Sequence, residues 1–175
     1  MGQAAPGKEN IVERTLIRDI RTKAGEVAKV QGFVENFRDG KSMAFIVVKD
    51  ITGKLQITVE KEKCPELLDE LAKITPDSVI TVIGPVCENE YVKMGGIELL
   101  PTELIVESVA DALPIVRKDI PATKKKQAVE RSAIDQRLNY RWIDLRTDEN
   151  QLMFKVQTVM VNAMRQFLID HNFIE

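Results

Sequence analysis

The sequence predicts a mainly β fold, a five-stranded barrel carrying one short helix, followed by a hinge and a long helix. Three observations point there. Apolar and polar residues alternate on both sides of Asp39-Gly40, the period of half-buried strands around a tight turn. After Cys64-Pro65 the period changes to helical spacing, and after one short segment it changes back. Far downstream, residues 148–170 carry apolar side chains at intervals of three and four, as an amphipathic helix does.

Residues 1–12 (MGQAAPGKENIV) are small and polar and read as a lead-in that forms no core. Leu16, Ile17 and Ile20 follow as a short apolar patch, a strand or a helical turn packed on the domain, within an N-terminal extension over 1–25. Residues 26–38 form the first strand, with Val30 and Val34 alternating against Gln31, Phe33 and Glu35, and Gly32 marking a bulge or sharp coil. Asp39-Gly40 suits a primed hairpin turn. Strands over 42–49 and 54–61 come next. Ala44, Ile46 and Val48 share one side of the first, with Met43, Phe45 and Val47 on the other. In the second, Leu55, Ile57 and Val59 are the core set, so Gln56, Thr58 and Glu60 point the other way. Phe45 and Gln56 then share one outward face of neighbouring strands.

In PELLDELAKI, Pro65 suits a first helical turn, and Leu67, Leu68, Leu71 and Ile74 recur at helical spacing. Residues 78–87 return to strand composition, and Gly95-Gly96 precede a last strand, 97–106, bent near Pro101. Three strands, a helix and two strands is the order of an OB-fold barrel, here over 26–110. Another small β-barrel or an α+β domain fits the same pattern less fully.

From residue 111 the character changes. Residues 111–135 contain Pro114 and Pro121, and within them 112–132 set Arg117, Lys118, Lys124, Lys125, Lys126 and Arg131 against Asp119 and Glu130. Such a stretch reads as a hinge or linker. Its basic run is an ordinary solvated surface or a grip on a phosphate backbone, with Lys124, Lys125 and Lys126 the candidates. Residues 137–146 (RLNYRWIDLR) then set the only Trp among three arginines. The helix over 148–170 has Thr147 as N-cap candidate and Asp148 and Glu149 at its positive dipole end. Met153, Val156, Met160, Met164 and Phe167 make an apolar face that wants a partner. His171, the lone histidine, suits C-terminal capping or the surface.

The composition limits what such a chain can do. A net charge of -2 over 175 residues gives no global positive field, so any nucleic-acid binding is local and shape-based. Cys64 and Cys87 have no CxxC spacing, which favours reduced thiols over a metal site or a disulfide. No stretch approaches the roughly 18 apolar residues of a membrane span, and the N-terminus has no apolar signal core, so a cytoplasmic protein is expected. No nucleophile with a paired base and no Gly-rich phosphate loop is present, and no catalytic residue is expected in this chain. An outward Phe beside an amide is the useful pair: a ring stacks on any base, and an amide reads an edge.

At RLNYRWIDLRT, followed by an amphipathic helix and Phe173-Ile174-Glu175, the chain resembles the class IIb aminoacyl-tRNA synthetases, and among them the aspartyl enzymes of the archaeal and eukaryotic type. The similarity runs from about residue 26 to the end and includes the hinge segment ALPI. It is carried by Arg137, Leu138, Arg141, Asp144, Leu145 and Arg146. This resemblance implies that the barrel grips the anticodon loop of a tRNA. Phe45 would stack on the central uracil, Gln56 would hydrogen-bond it, Glu98 would read a neighbouring base, and Arg38 would contact the loop. The turn Arg38-Asp39-Gly40-Lys41 departs by one residue from the bacterial spacing of the glycine. The resemblance further implies that 136–175 begin a class II catalytic domain, with the long helix at a homodimer interface. Aspartate activation with ATP and Mg²⁺ would need motifs two and three, expected beyond Glu175, so the chain reads as the tRNA-binding part of a longer aspartate–tRNA ligase. Two alternatives stay open: an asparaginyl or lysyl enzyme, whose anticodons share the central uracil, and a stand-alone OB-fold module binding tRNA or single strands.

Overall fold

In a computed structural model, the structure describes residues 12–117 and 129–174. The chain divides into two units, the first ending at Ala112 and the second beginning at Leu113.

The first unit contains β1 (Val27–Asp39), β2 (Met43–Lys49), β3 (Lys54–Glu60), α1 (Leu68–Leu71), β4 (Val79–Glu88), β5 (Ile97–Leu99) and β6 (Glu103–Ser108). β1 pairs antiparallel with β2 and with β4, β2 with β3, and β4 with β5, while β3 and β5 run parallel. The circuit β1-β2-β3-β5-β4 closes on itself and leaves no open edge in the ring. This is the five-stranded OB-fold barrel that the pattern predicts, with β6 added along β4. Inward positions of successive strands, among them Val30, Val34, Ile46, Ile57, Val82 and Leu99, are fully buried. Side chains that alternate in sequence thus fill a closed interior, which is what holds a barrel of this size together.

β1 serves two neighbours. Val27 to Phe33 lie against β4, and Phe33 to Asp39 against β2. Gly32 sits at the changeover, where a Cβ would meet the Lys49 carbonyl oxygen at 2.5 Å. The bulge itself falls at Glu35, which the register skips between Val34 and Asn36. At the hairpin, Asp39 pairs with Ala44, and the Gly40 N–H donates to the Met43 carbonyl at 2.9 Å. Residues 40–42 therefore form the loop, and Gly40 does not have the positive φ of a primed turn. Space is what requires glycine here, because a Cβ would lie 2.7 Å from the Met43 oxygen.

The predicted helix over 65–74 is shorter than its spacing suggests: a 3-10 turn over Pro65–Leu67 runs into the single turn of α1. Leu67, Leu71 and Ile74 pack on the barrel, whereas Leu68 is 38% exposed. The predicted last strand breaks into β5 and β6. Leu100 and Thr102 still donate to Pro85 and Ile83 on β4 across the break, where Pro101 has no N–H to give. Gly84 makes the bend possible, since a Cβ there would lie 2.0 Å from the Leu100 oxygen. The apolar patch before β1 is a 3-10 helix, Ile17–Lys23, with Ile17 and Ile20 buried. Thr15 donates to Lys29 and Ile17 to Asp50, so this helical turn packs on the barrel.

In the second unit, Val116 and Ser132 clasp each other through two hydrogen bonds. α2 (Ile134–Asn139), α3 (Arg141–Asp144) and α4 (Asp148–Asp170) follow. Thr147 caps α4, its hydroxyl accepting from the Asn150 N–H at 3.4 Å. At the other end Asn172 takes a positive φ, and Asn172 and Phe173 donate back to Ile169 and Leu168. That arrangement closes the helix with a Schellman motif, and the His171 ring nitrogen lies 2.7 Å from the Phe167 carbonyl.

Candidate nucleic-acid interface

One outward face of the barrel gathers the predicted site residues, because register and parity act together. Phe45 on β2 stands opposite Arg38 on β1 and Thr58 on β3. One pair further along, Val47 stands opposite Gln56, Gln56 beside Glu98 on β5, and Glu98 opposite Cys87 on β4. The Arg38 guanidinium covers the Phe45 ring, its central carbon 4.7 Å from the ring centroid. Phe45 and Gln56 are half-buried and Arg38 is exposed. Glu98 lies on this face as well but is only 8% exposed.

Hydrogen bonds to β3 and to the β4–β5 loop explain that burial. Glu98 Oε2 accepts from the Thr58 hydroxyl at 2.5 Å and lies 3.4 Å from Gln56 Nε2. Glu98 Oε1 accepts from Asn89 Nδ2 at 2.7 Å. Asn89 Oδ1 in turn accepts from the Tyr91 N–H, which ties the β4–β5 loop to the same carboxylate. Sequence pattern did not single out Thr58 or Asn89. Thr58 carries the parity of the face and is a buried polar residue at 4% exposure, and a buried hydroxyl needs partners. That requirement is the signal that would have found it.

The arrangement offers an aromatic surface, an amide and an anchored carboxylate in adjacent rows, with a guanidinium at the rim. Such a face can stack a base, read an edge and hold a phosphate. Among the described residues, no group of three or more His, Cys, Asp or Glu could hold a metal ion.

In the second unit the Arg137–Arg146 segment is organised around Asp144, which is fully buried. Its carboxylate meets Arg131 at 3.2 Å, Arg137 at 3.5 Å and Arg141 at 2.9 Å. Asn150 Nδ2 adds bonds to its carbonyl and its Oδ2. Burial would push the Asp144 carboxyl up, but the Arg131 hydrogen bond and the Arg137 and Arg131 charges outweigh it and hold its pKa below the ordinary range. Trp142, by contrast, is 66% exposed.

The other predicted positions stay apart from the barrel face. Lys124, Lys125 and Lys126 lie outside the described residues. Met153, Val156, Met160, Met164 and Phe167 all lie on α4 and are half exposed or more, and no residue of α4 is buried. The apolar surface is broader than the single predicted stripe, because Leu152, Val159 and Leu168 are exposed as well. Among the described residues, no helix is long and apolar enough to cross a membrane.

Residues 24–108 match the family described as OB-fold nucleic acid binding domain, and residues 133–175 that described as tRNA synthetases class II (D, K and N). The aspartate–tRNA(Asp/Asn) ligase of Methanopyrus kandleri is 37% identical over 153 residues, covering 86% of this chain and 33% of the relative. The aspartate–tRNA(Asp) ligase of Picrophilus torridus is 36% identical over 148 residues, covering 84% of this chain and 32% of the relative. Among solved structures, an aspartyl tRNA synthetase from Entamoeba histolytica has the same fold, with a TM-score of 0.80 at 22% identity over 99% of this chain and 41% of that one. The chain thus spans about a third of the length of the curated relatives it matches.

Proposed function

The chain belongs to the class II tRNA synthetases of the D, K and N group, among the aspartate–tRNA ligases, and from that membership we propose that its barrel grips the anticodon loop of a tRNA. The observation that carries this reading is the meeting of Arg38, Phe45, Gln56, Thr58 and Glu98 on one face. Phe45 stacks on the central uracil of the loop, Gln56 bonds its edge, and Glu98 stands beside the neighbouring base. Arg38 serves the ring and the backbone together. With a net charge of -2 the chain offers little long-range attraction, so contacts at this face have to supply the selectivity.

The whole protein, on this reading, is a cytoplasmic ligase that activates aspartate with ATP and Mg²⁺ and transfers it to tRNA. The exposed apolar surface of α4, with Met153, Val156, Met160, Met164 and Phe167, serves as the interface of a homodimer. Lys124, Lys125 and Lys126 touch the tRNA body. The test is a titration of the chain with two anticodon stem-loop RNAs that differ only in the central base. Tighter binding of the uracil form is expected, and equal affinity for both contradicts the reading.

A further inference from the structure

The Gln56 amide can face its neighbours in only one way. The Thr58 hydroxyl gives its single proton to Glu98 Oε2 at 2.5 Å, so toward Gln56 Nε2, 3.2 Å away, it can only accept. A Glu98 carboxylate has no proton to give, and its Oε2 lies 3.4 Å from the same nitrogen. Two acceptors side by side call for a donor. The amide NH₂ therefore turns inward and the carbonyl Oε1 outward, a choice dictated by the hydrogen-bond network. Asn89 holds the other carboxylate oxygen at 2.7 Å, which keeps Glu98 from rotating away.

We propose that Thr58 and Glu98 are positioning residues that lock the Gln56 amide with its carbonyl outward, so that the face selects uracil over cytosine. This rests on the reading of the barrel as an anticodon-loop binder and adds the device that sets its selectivity. Uracil presents a ring N–H between two carbonyls, and cytosine presents a bare acceptor at the same ring position. A fixed carbonyl meets the first with a hydrogen bond and the second with lone-pair repulsion. Selectivity of this kind comes from the polar group left unpaired by the wrong base. A Gln free to flip would turn its NH₂ toward cytosine and accept both bases. The selectivity therefore lies in the two residues behind Gln56 as much as in Gln56 itself.

The experiment uses the full chain, with stem-loop RNAs carrying uracil or cytosine at the central position and direct measurement of Kd. Wild type is expected to favour uracil by about tenfold, the worth of one hydrogen bond lost and one acceptor left unpaired. In Thr58→Val, which keeps the shape and removes the hydroxyl, Glu98 Oε2 remains as the one acceptor behind the amide, and the ratio falls measurably, chiefly through better binding of the cytosine RNA. Thr58→Ser keeps the wild-type ratio. Glu98→Gln, able to turn its own NH₂ toward Gln56, also relaxes it. A Thr58→Val protein that retains the wild-type ratio, or that loses affinity for both RNAs equally, overturns the proposal. If wild type binds both RNAs alike, the anticodon reading itself has failed, which is a different result.

Discussion

The guanidinium carbon of Arg38 lies 4.7 Å from the centroid of the Phe45 ring, over its face. The two residues are direct partners across β1 and β2. At an exposed site a contact of this kind is worth about 0.5–1 kcal/mol, enough to orient the ring before any base arrives. It also places a positive charge against one face of the ring. A single-stranded loop that stacks on Phe45 brings its phosphates past that charge.

Arg38→Ala is therefore expected to weaken binding of the stem-loop and to lower the slope of log Kd against log salt by about 0.7–1, the release of one counterion. Titrations at several salt concentrations read this directly. An unchanged slope would separate Arg38 from the RNA and leave it a support for the ring.

Asp144 is the centre of the second unit, buried among Arg131, Arg137 and Arg141. Asp144→Asn removes the charge that Arg137 and Arg141 meet and one of the two carboxylates that Arg131 meets, the other being Glu149, a change that costs about 3–5 kcal/mol when a buried pair is broken. The loss is expected as faster hydrogen exchange over 134–150 and an earlier far-UV transition in urea. Wild-type protection in the variant would show that the cluster is dispensable.

Gly84 is where β4 passes under the bend between β5 and β6. Gly84→Ala puts a Cβ 2.0 Å from the Leu100 carbonyl oxygen, and the obstacle is backbone that cannot swing aside. A loss of about 1–3 kcal/mol or more is expected, seen as a lower midpoint in denaturant. A midpoint within error of wild type would mean that the bend adjusts freely.

Acid should loosen the 3-10 helix from the barrel through Asp50. Burial would raise its pKa, but hydrogen bonds from Thr52, Ile17 and Gly53 outweigh that and lower it. A carboxylate whose folded pKa is depressed stabilises the fold above its unfolded pKa of about 3.9 and loses that contribution as pH falls through the lower folded value. Asp144 shifts in the same direction. Melting curves between about pH 5 and 2 should therefore fall less steeply for Asp50→Asn than for wild type. Equal slopes would remove Asp50 from the linkage.

Much of the barrel was legible because its determinants are local. Ala44, Ile46 and Val48 against Phe45 and Val47 give the second strand and its faces, and the switch at Pro65 gives the helix. That same parity put Phe45 and Gln56 on one side. Other features depend on contacts distant in sequence and leave no periodic trace. Glu98 looks outward from its parity, yet Thr58 and Asn89, 40 and 9 residues away in the chain, draw it into the surface. Asp144 reads as one letter of a signature, and only the fold shows three arginines converging on it. Gly40 suggested a backbone conformation, whereas the structure uses the space that a missing Cβ leaves. Leu68 fits the helical spacing but lies exposed, at the start of a helix of a single turn.

The central claim is that Phe45 is the platform for a base of the anticodon loop. Wild type and Phe45→Ala should be compared for binding to one stem-loop with a central uracil, with thermal unfolding recorded beside each titration. A lost stack of about 1–3 kcal/mol corresponds to weakening by roughly 5- to 150-fold. That loss should come with an unfolding midpoint close to wild type, because Phe45 lies outside the barrel core. Equal affinity of the two proteins for this RNA would contradict the account.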